Sequence, residues 1–164
     1  MNNDENIIYV IKIIHRSKEV YTGYYCDNSE DAVLHDDKNF LAWRNLKDLT
    51  EYLDGQKLPY VIDEIPVYDF DKSPENPVDY NSVLNKWNLI NTLAGIYGMY
   101  FEGDCKKYDG VYEFLFCCAT SDEKLPPQYK MPEKYFRLLD KVFRKQARYL
   151  NRIKIVTDNR SINR

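Results

Sequence analysis

Residues 7–14 read Ile-Ile-Tyr-Val-Ile-Lys-Ile-Ile, and residues 19–26 resume with Glu-Val-Tyr-Thr-Gly-Tyr-Tyr-Cys. β-Branched and aromatic side chains fit a pleated, half-buried surface, and the polar break Arg16-Ser17-Lys18 is short enough to reverse the chain. This is a β-hairpin. Asp27-Asn28-Ser29-Glu30-Asp31 reads as a turn, after which Ala32–His35 and Phe40–Trp43 flank Asp36-Asp37-Lys38-Asn39 as a second hairpin. The expectation is four short antiparallel strands, with Tyr60–Asp63 returning as one more.

Asn45 is placed to cap a short helix over 46–54, where Leu46, Leu49 and Leu53 recur at helical spacing and Gly55 stands at the stop position. Residues 63–80 then carry Pro66, Pro74 and Pro77 among Asp63, Glu64, Asp69, Asp71, Glu75 and Asp79. That composition resists regular structure, and it reads as a long acidic connection, either a contact surface or a solvated linker. Beyond it the period changes to that of helices. Val83, Leu84, Trp87, Ile90, Leu93, Ala94 and Tyr97 fall at spacings of three and four from Asn81 or Ser82 up to Gly98. A second helix is expected over 106–119. A third starts at Pro132, where a missing amide costs nothing, and runs to Ile153. Trp87, Leu93, Phe116, Leu139 and Phe143 are assigned to the core.

The fold class is therefore α+β: an N-terminal antiparallel sheet of four to five strands packed against three main C-terminal helices. At 164 residues and 44% hydrophobic, one domain over 1–156 with a frayed tail at 157–164 is expected. The N-terminal Met-Asn-Asn-Asp-Glu-Asn has neither the positive flank nor the apolar run of a secretory leader, and no apolar stretch approaches a membrane span. A soluble, cytoplasmic protein without a membrane role is expected. Cys26, Cys105, Cys117 and Cys118 form no C-x-x-C pair, so reduced, mostly buried thiols are expected rather than a metal clamp.

Charge is distributed unevenly. Residues 1–80 hold 17 Asp/Glu against 8 Lys/Arg, and residues 81–164 hold 9 against 15. Such an asymmetry steers a charged partner if the acids share a face. Asp27, Glu30, Asp31, Asp36 and Asp37 lie in two turns of the expected sheet, and Asp69 and Asp71 lie in the acidic connection. These seven are the candidate electrostatic contacts. Clustered carboxylates can stand in for the phosphates of a nuclease substrate and fill its basic groove. Fifteen tyrosines supply stiff, amphipathic contact area, and Tyr24, Tyr25 and Tyr68 are the candidate aromatic anchors.

Chemistry has less support. His15 and His35 are the sole imidazoles, and there is no Gly-rich phosphate loop, nucleophile elbow or H-E-x-x-H helix. The spacing of a calcium loop is missing as well. No catalytic residue, metal or cofactor is assigned. Lys134, Arg137, Lys141, Arg144, Lys145, Arg148 and Arg152 form a basic stripe on the last helix. The preferred reading of the stripe is a solvated face, because an acidic protein is a poor non-specific nucleic-acid binder.

Leu84-Asn85-Lys86-Trp87-Asn88-Leu89-Ile90, then Gly95-Ile96-Tyr97-Gly98-Met99-Tyr100-Phe101, then Tyr108 to Phe116 form an ordered series. It resembles the W-N-L helix, G-I-x-F/Y turn and Y-x-x-L/F-F helix of small bacterial immunity proteins of polymorphic toxin and contact-dependent inhibition systems. The resemblance spans about residues 83–155 and departs from the pattern over Phe116–Thr120. It implies a non-catalytic protein that binds and neutralises a cognate toxin domain, such as a basic nuclease, in the cytoplasm. The alternatives are a generic protein-interaction or regulatory module and, below that, a metal-dependent hydrolase.

Overall fold

The computed structural model describes residues 7–27, 30–75, 78–121 and 130–157. The protein is α+β, and the chain divides into two compact units, residues 1–69 with 152–164, and residues 70–151.

The first unit is built around β1 (Ile8–His15), which pairs antiparallel with β2 (Lys18–Asp27) from Tyr9↔Tyr24 to His15↔Lys18. Arg16 and Ser17 make the turn with φ of 52° and 58°. Two positive φ values give the turn twist that matches the twist of paired strands. Strand alternation sends Ile8 and Val10 to one face, where they meet Leu34, Leu41, Trp43, Leu49, Leu53 and Val156. Ile11 and Ile13 point the other way and are buried too. Burial on both faces is why this stretch reads as an almost unbroken apolar run.

The sheet is mixed rather than antiparallel throughout. β3 (Glu30–Val33) adds antiparallel to β2, whereas β5 (Tyr60–Val61) and β6 (Val67–Asp69) add parallel to β1 on its far side. The acidic connection therefore contains a strand. Pro59 and Pro66 need no donor partner, and their carbonyls accept from Ile8 N and Lys12 N, each at 2.9 Å. Short edge strands beside prolines and acids resist further pairing, and the same residues hide the strand from a propensity reading.

The second hairpin is reduced to one bridge, His35↔Phe40. β4 (Leu41–Ala42) pairs instead with β7 (Lys154–Ile155), in parallel, a partner from the far end of the chain. α1 (Leu46–Gln56) has Asn45 as its N-cap, accepting from Asp48 N at 2.9 Å. Its stop is Lys57 at φ 57°, not Gly55. Leu58 N bonds Leu53 O and Lys57 N bonds Asp54 O, the paired reverse bonds of a left-handed helix end.

In the second unit α2 (Tyr80–Ile96) starts from Asp79, whose side chain accepts from Ser82 N at 3.0 Å, and Gly98 follows its end at φ 59°. Two 3-10 turns, Glu102–Asp104 and Lys106–Tyr108, lead into α3 (Asp109–Thr120). α4 (Glu133–Gln146) is preceded by Pro132. It ends before Ile153, tightening into a 3-10 turn over Ala147–Arg152. Tighter winding turns Tyr149 inward, where its hydroxyl donates to Tyr100 O at 2.7 Å. The expected frayed tail lies, from residue 158 on, outside the described residues.

Trp87 centres this unit's core, with Phe101 5.2 Å away and Tyr108 and Tyr112 each at 6.1 Å. Leu93, Leu139 and Phe143 are buried as expected. Phe116 is not; it is 50% exposed. Val111, Leu115 and Cys118 form the inward face of α3, which leaves Phe116 one position off it, 6.3 Å from Tyr112 in a stacked pair. The cysteines are free thiols, but Cys118 alone is buried, with Cys26 and Cys117 exposed and Cys105 between.

Candidate partner-binding surface

The register of the sheet decides which candidate residues share a face. Tyr9 lies across from Tyr24, Tyr24 from Val33, Cys26 from Asp31, and Ile13 from Tyr68. Paired residues project to the same side, so Tyr9, Tyr24, Cys26, Asp31 and Tyr68 share one face of the first unit's sheet. The Tyr24 hydroxyl hydrogen-bonds the Asp31 carboxylate. Burial, then that bond and the carboxylate's charge, hold the Tyr24 hydroxyl protonated well beyond its usual range. Tyr68 is pushed up to about 12, by burial first and by Asp31 second. Both phenols are therefore neutral O–H donors at any physiological pH.

Exposure grades across this group. Tyr68 is 5% exposed and forms its floor, Tyr24 is half-buried, and Asp31 and Cys26 are exposed. Tyr9 is 53% exposed, a large value for an aromatic ring in a central strand. The result is an aromatic strip with one carboxylate, suited to an aliphatic or cationic side chain that can lie on a ring and reach Asp31.

The other candidates go elsewhere. Tyr25 projects to the opposite face and packs on the cluster around Trp43. Asp36 is bound within its own turn, its Oδ1 accepting from Lys38 N at 3.0 Å and Asn39 N at 2.8 Å, while Lys154 Nζ sits 2.9 Å from Oδ2. Lys154, with the turn's amides, holds this carboxyl far below the usual carboxylate range. Asp36 staples β7 to the β3–β4 turn. Asp37 is exposed beside it, and Glu30 is exposed at the start of β3. Asp69 is half-buried at the end of β6, and Asp71 is exposed in the second unit. The side chain of Asp27 lies outside the described residues. The structure thus brings Tyr24, Asp31 and Tyr68 together, and adds Tyr9 and Cys26.

Tyr9 had a readable signal: a two-residue turn at Arg16-Ser17 pairs position 9 with position 24. In the second unit, Glu102 is a carboxylate that spacing alone does not single out. It is 6% exposed and meets Lys145 at 2.6 Å, Lys107 at 3.3 Å and the Tyr108 hydroxyl at 3.2 Å. Lys145 first, with Lys107 and Tyr108, lowers its pKa to about 2. Among the described residues, no group of three or more His, Cys, Asp and Glu is arranged to hold a metal ion, and no helix is long and apolar enough to cross a membrane.

Comparison with known proteins identifies a fold and no family. No protein-family model matches the sequence, and no curated protein matches it. Among solved structures, the crystal structure of the SatS C-terminal domain in complex with bromine is similar, with a TM-score of 0.57 and 13% identity. The match covers 91% of this chain and 94% of that one. At that identity the likeness carries the fold alone.

Proposed function

We propose that this chain is a non-catalytic immunity protein that binds a cognate bacterial toxin domain in the cytoplasm and neutralises it. The single observation that supports the reading best is the strip of Tyr9, Tyr24 and Asp31 on the sheet face. An aromatic ring left 53% exposed on the central strand gains nothing for the fold by that exposure. Beside a carboxylate, it supplies the stiff, amphipathic anchor that tight protein interfaces use. A basic toxin surface, such as the groove of a nuclease, is the matching partner, since a Lys or Arg can stack on Tyr9 and pair with Asp31. The resemblance of residues 83–155 to immunity proteins points the same way.

The test is co-expression with the product of the neighbouring gene. The expected result is a complex that survives purification and suppresses the toxin's activity. A neighbour with no toxic activity, or a toxin that neither binds this chain nor is inhibited by it, would overturn the reading.

A further inference from the structure

α4 and the turn after it expose Lys134, Arg137, Lys141, Arg144, Lys145 and Arg148. The carboxylates that meet these cations belong to the same unit. Arg137 Nε lies 3.3 Å from Glu133, Arg144 Nε lies 2.7 Å from Asp140, and Lys145 meets Glu102. Asp140 also accepts from Ser73 Oγ at 2.9 Å. Each arginine meets its carboxylate through Nε, and a guanidinium carries five N–H donors, so donors remain on both for a further acceptor. They stand one heptad apart, about 10.5 Å along the helix. Lys141 lies between them, with no ion-pair partner among the described residues. Arg137, Asp140, Lys141, Arg144 and Lys145 line a shallow open depression.

We propose that this depression is a second docking surface, for an acidic segment of a partner protein whose carboxylates fall about 10 Å apart and engage Arg137 and Arg144. The inference goes beyond the sheet-face reading, since it uses the other unit and a partner surface of opposite charge. Two features select an acidic protein segment over other anions. Asp140 and Glu133 interrupt the row of cations, so a continuous file of phosphates meets like charge, while discrete carboxylates can be set on the two guanidinium forks. The apolar side of α4, with Leu139, Val142 and Phe143, is buried and offers nothing to insert into a bilayer.

The experiment measures anisotropy of a labelled, end-blocked Glu-Gly-Gly-Glu peptide, whose carboxylates stand about 10 Å apart when extended, with the full chain at low salt, beside labelled oligothymidylate and phosphatidylserine-containing vesicles. The diglutamate peptide is expected to bind best, and the paired change Arg137→Glu with Lys141→Glu to weaken it by about tenfold or more. Lys38→Glu with Lys47→Glu, the same charge change on exposed positions of the first unit, is expected to leave binding within about twofold, because those positions lie outside the depression. Circular dichroism monitors the fold, and Arg137→Gln with Lys141→Gln replaces the reversal if it unfolds. No binding by the intact chain, an equal loss in the Lys38/Lys47 control, or tighter binding of oligothymidylate or vesicles would overturn the inference. A toxin complex that forms but ignores the α4 changes would sink it while leaving the proposed function standing. Diglutamate-peptide binding without a toxin partner would do the reverse.

Discussion

Lys145 Nζ lies 2.6 Å from Glu102 Oε2, tying the last turn of α4 to the 3-10 turn at Glu102–Asp104. Glu102 is nearly buried while Lys145 and Lys107 stay about half exposed, so the carboxylate has given up water that the lysines keep. Removing the charge leaves a buried polar group with its donors misdirected. Glu102→Gln is expected to destabilise the protein by about 1–3 kcal/mol. The pH dependence has a definite sign. The folded pKa of about 2 lies below the ordinary glutamate value of about 4.3, so this stabilisation is complete above that value and disappears as pH falls toward 2. Urea midpoints of the wild type and Glu102→Gln should therefore converge between about pH 5 and 2. A constant gap across that window would show that the pair contributes nothing through its charge.

Two glycines are fixed by space. A Cβ at Gly23 would lie 2.4 Å from Ile8 Cγ2 and 2.8 Å from Leu34 Cδ1, and one at Gly103 would lie 2.3 Å from Phe101 and 2.5 Å from Trp87. Gly23→Ala and Gly103→Ala should each cost about 1–3 kcal/mol through overpacking. Gly95 lies in α2 with nothing within 4 Å of the added carbon. Gly95→Ala is expected to stabilise by about 0.5–1 kcal/mol. Thermal melts that rank the three variants in any other order would contradict the packing described.

The end of α1 carries its glycine in the wrong place for the backbone. Gly55 is helical with open space around it, and Lys57 adopts the left-handed conformation two residues later. Exchanging the preferences, with Gly55→Ala and Lys57→Gly together, removes one helical glycine and one strained lysine. A gain of about 1–2 kcal/mol is expected, seen as a higher melting temperature. A lower one would mean that α1 ends at Gly55 after all.

That displaced stop typifies what the sequence conveys. Elements specified by local physics were legible: the apolar run at 7–14, the Asn45 cap, the Gly98 stop and the periodicity of α2. Elements specified by distant partners were not. β7 is two residues whose strand character exists only against β4, and β6 sits behind Pro66 among acids that mask it. Phe116 satisfies helical spacing, yet spacing cannot say which of two adjacent stripes on α3 turns inward. The same limit divided the candidate site. Asp36 and Asp31 look alike as turn acids, but one is tied to Lys154 and the other faces Tyr24, because pairing with the end of the chain is invisible locally.

Tyr9 and Tyr25 separate binding from folding. Tyr25 packs against the cluster around Trp43, so Tyr25→Ala should lower stability by about 1–3 kcal/mol. Tyr9 is 53% exposed on the other face, so Tyr9→Ala should leave the melt within about 0.5 kcal/mol of the wild type. Against the proposed toxin partner the order is expected to invert. A central aromatic anchor costs about 2 kcal/mol or more when truncated, roughly a thirtyfold loss of affinity. Tyr9→Phe keeps the ring and should retain most of the binding, because the proposed contact uses the stacking surface rather than the hydroxyl. Calorimetric titration of the purified complex with the three variants, each first checked by thermal melt, decides the matter. A Tyr9→Ala protein that folds and binds like the wild type would remove the sheet face from the interface, since no other exposed ring in the strip can replace the missing anchor: Tyr68 is buried and Tyr24 is turned onto Asp31.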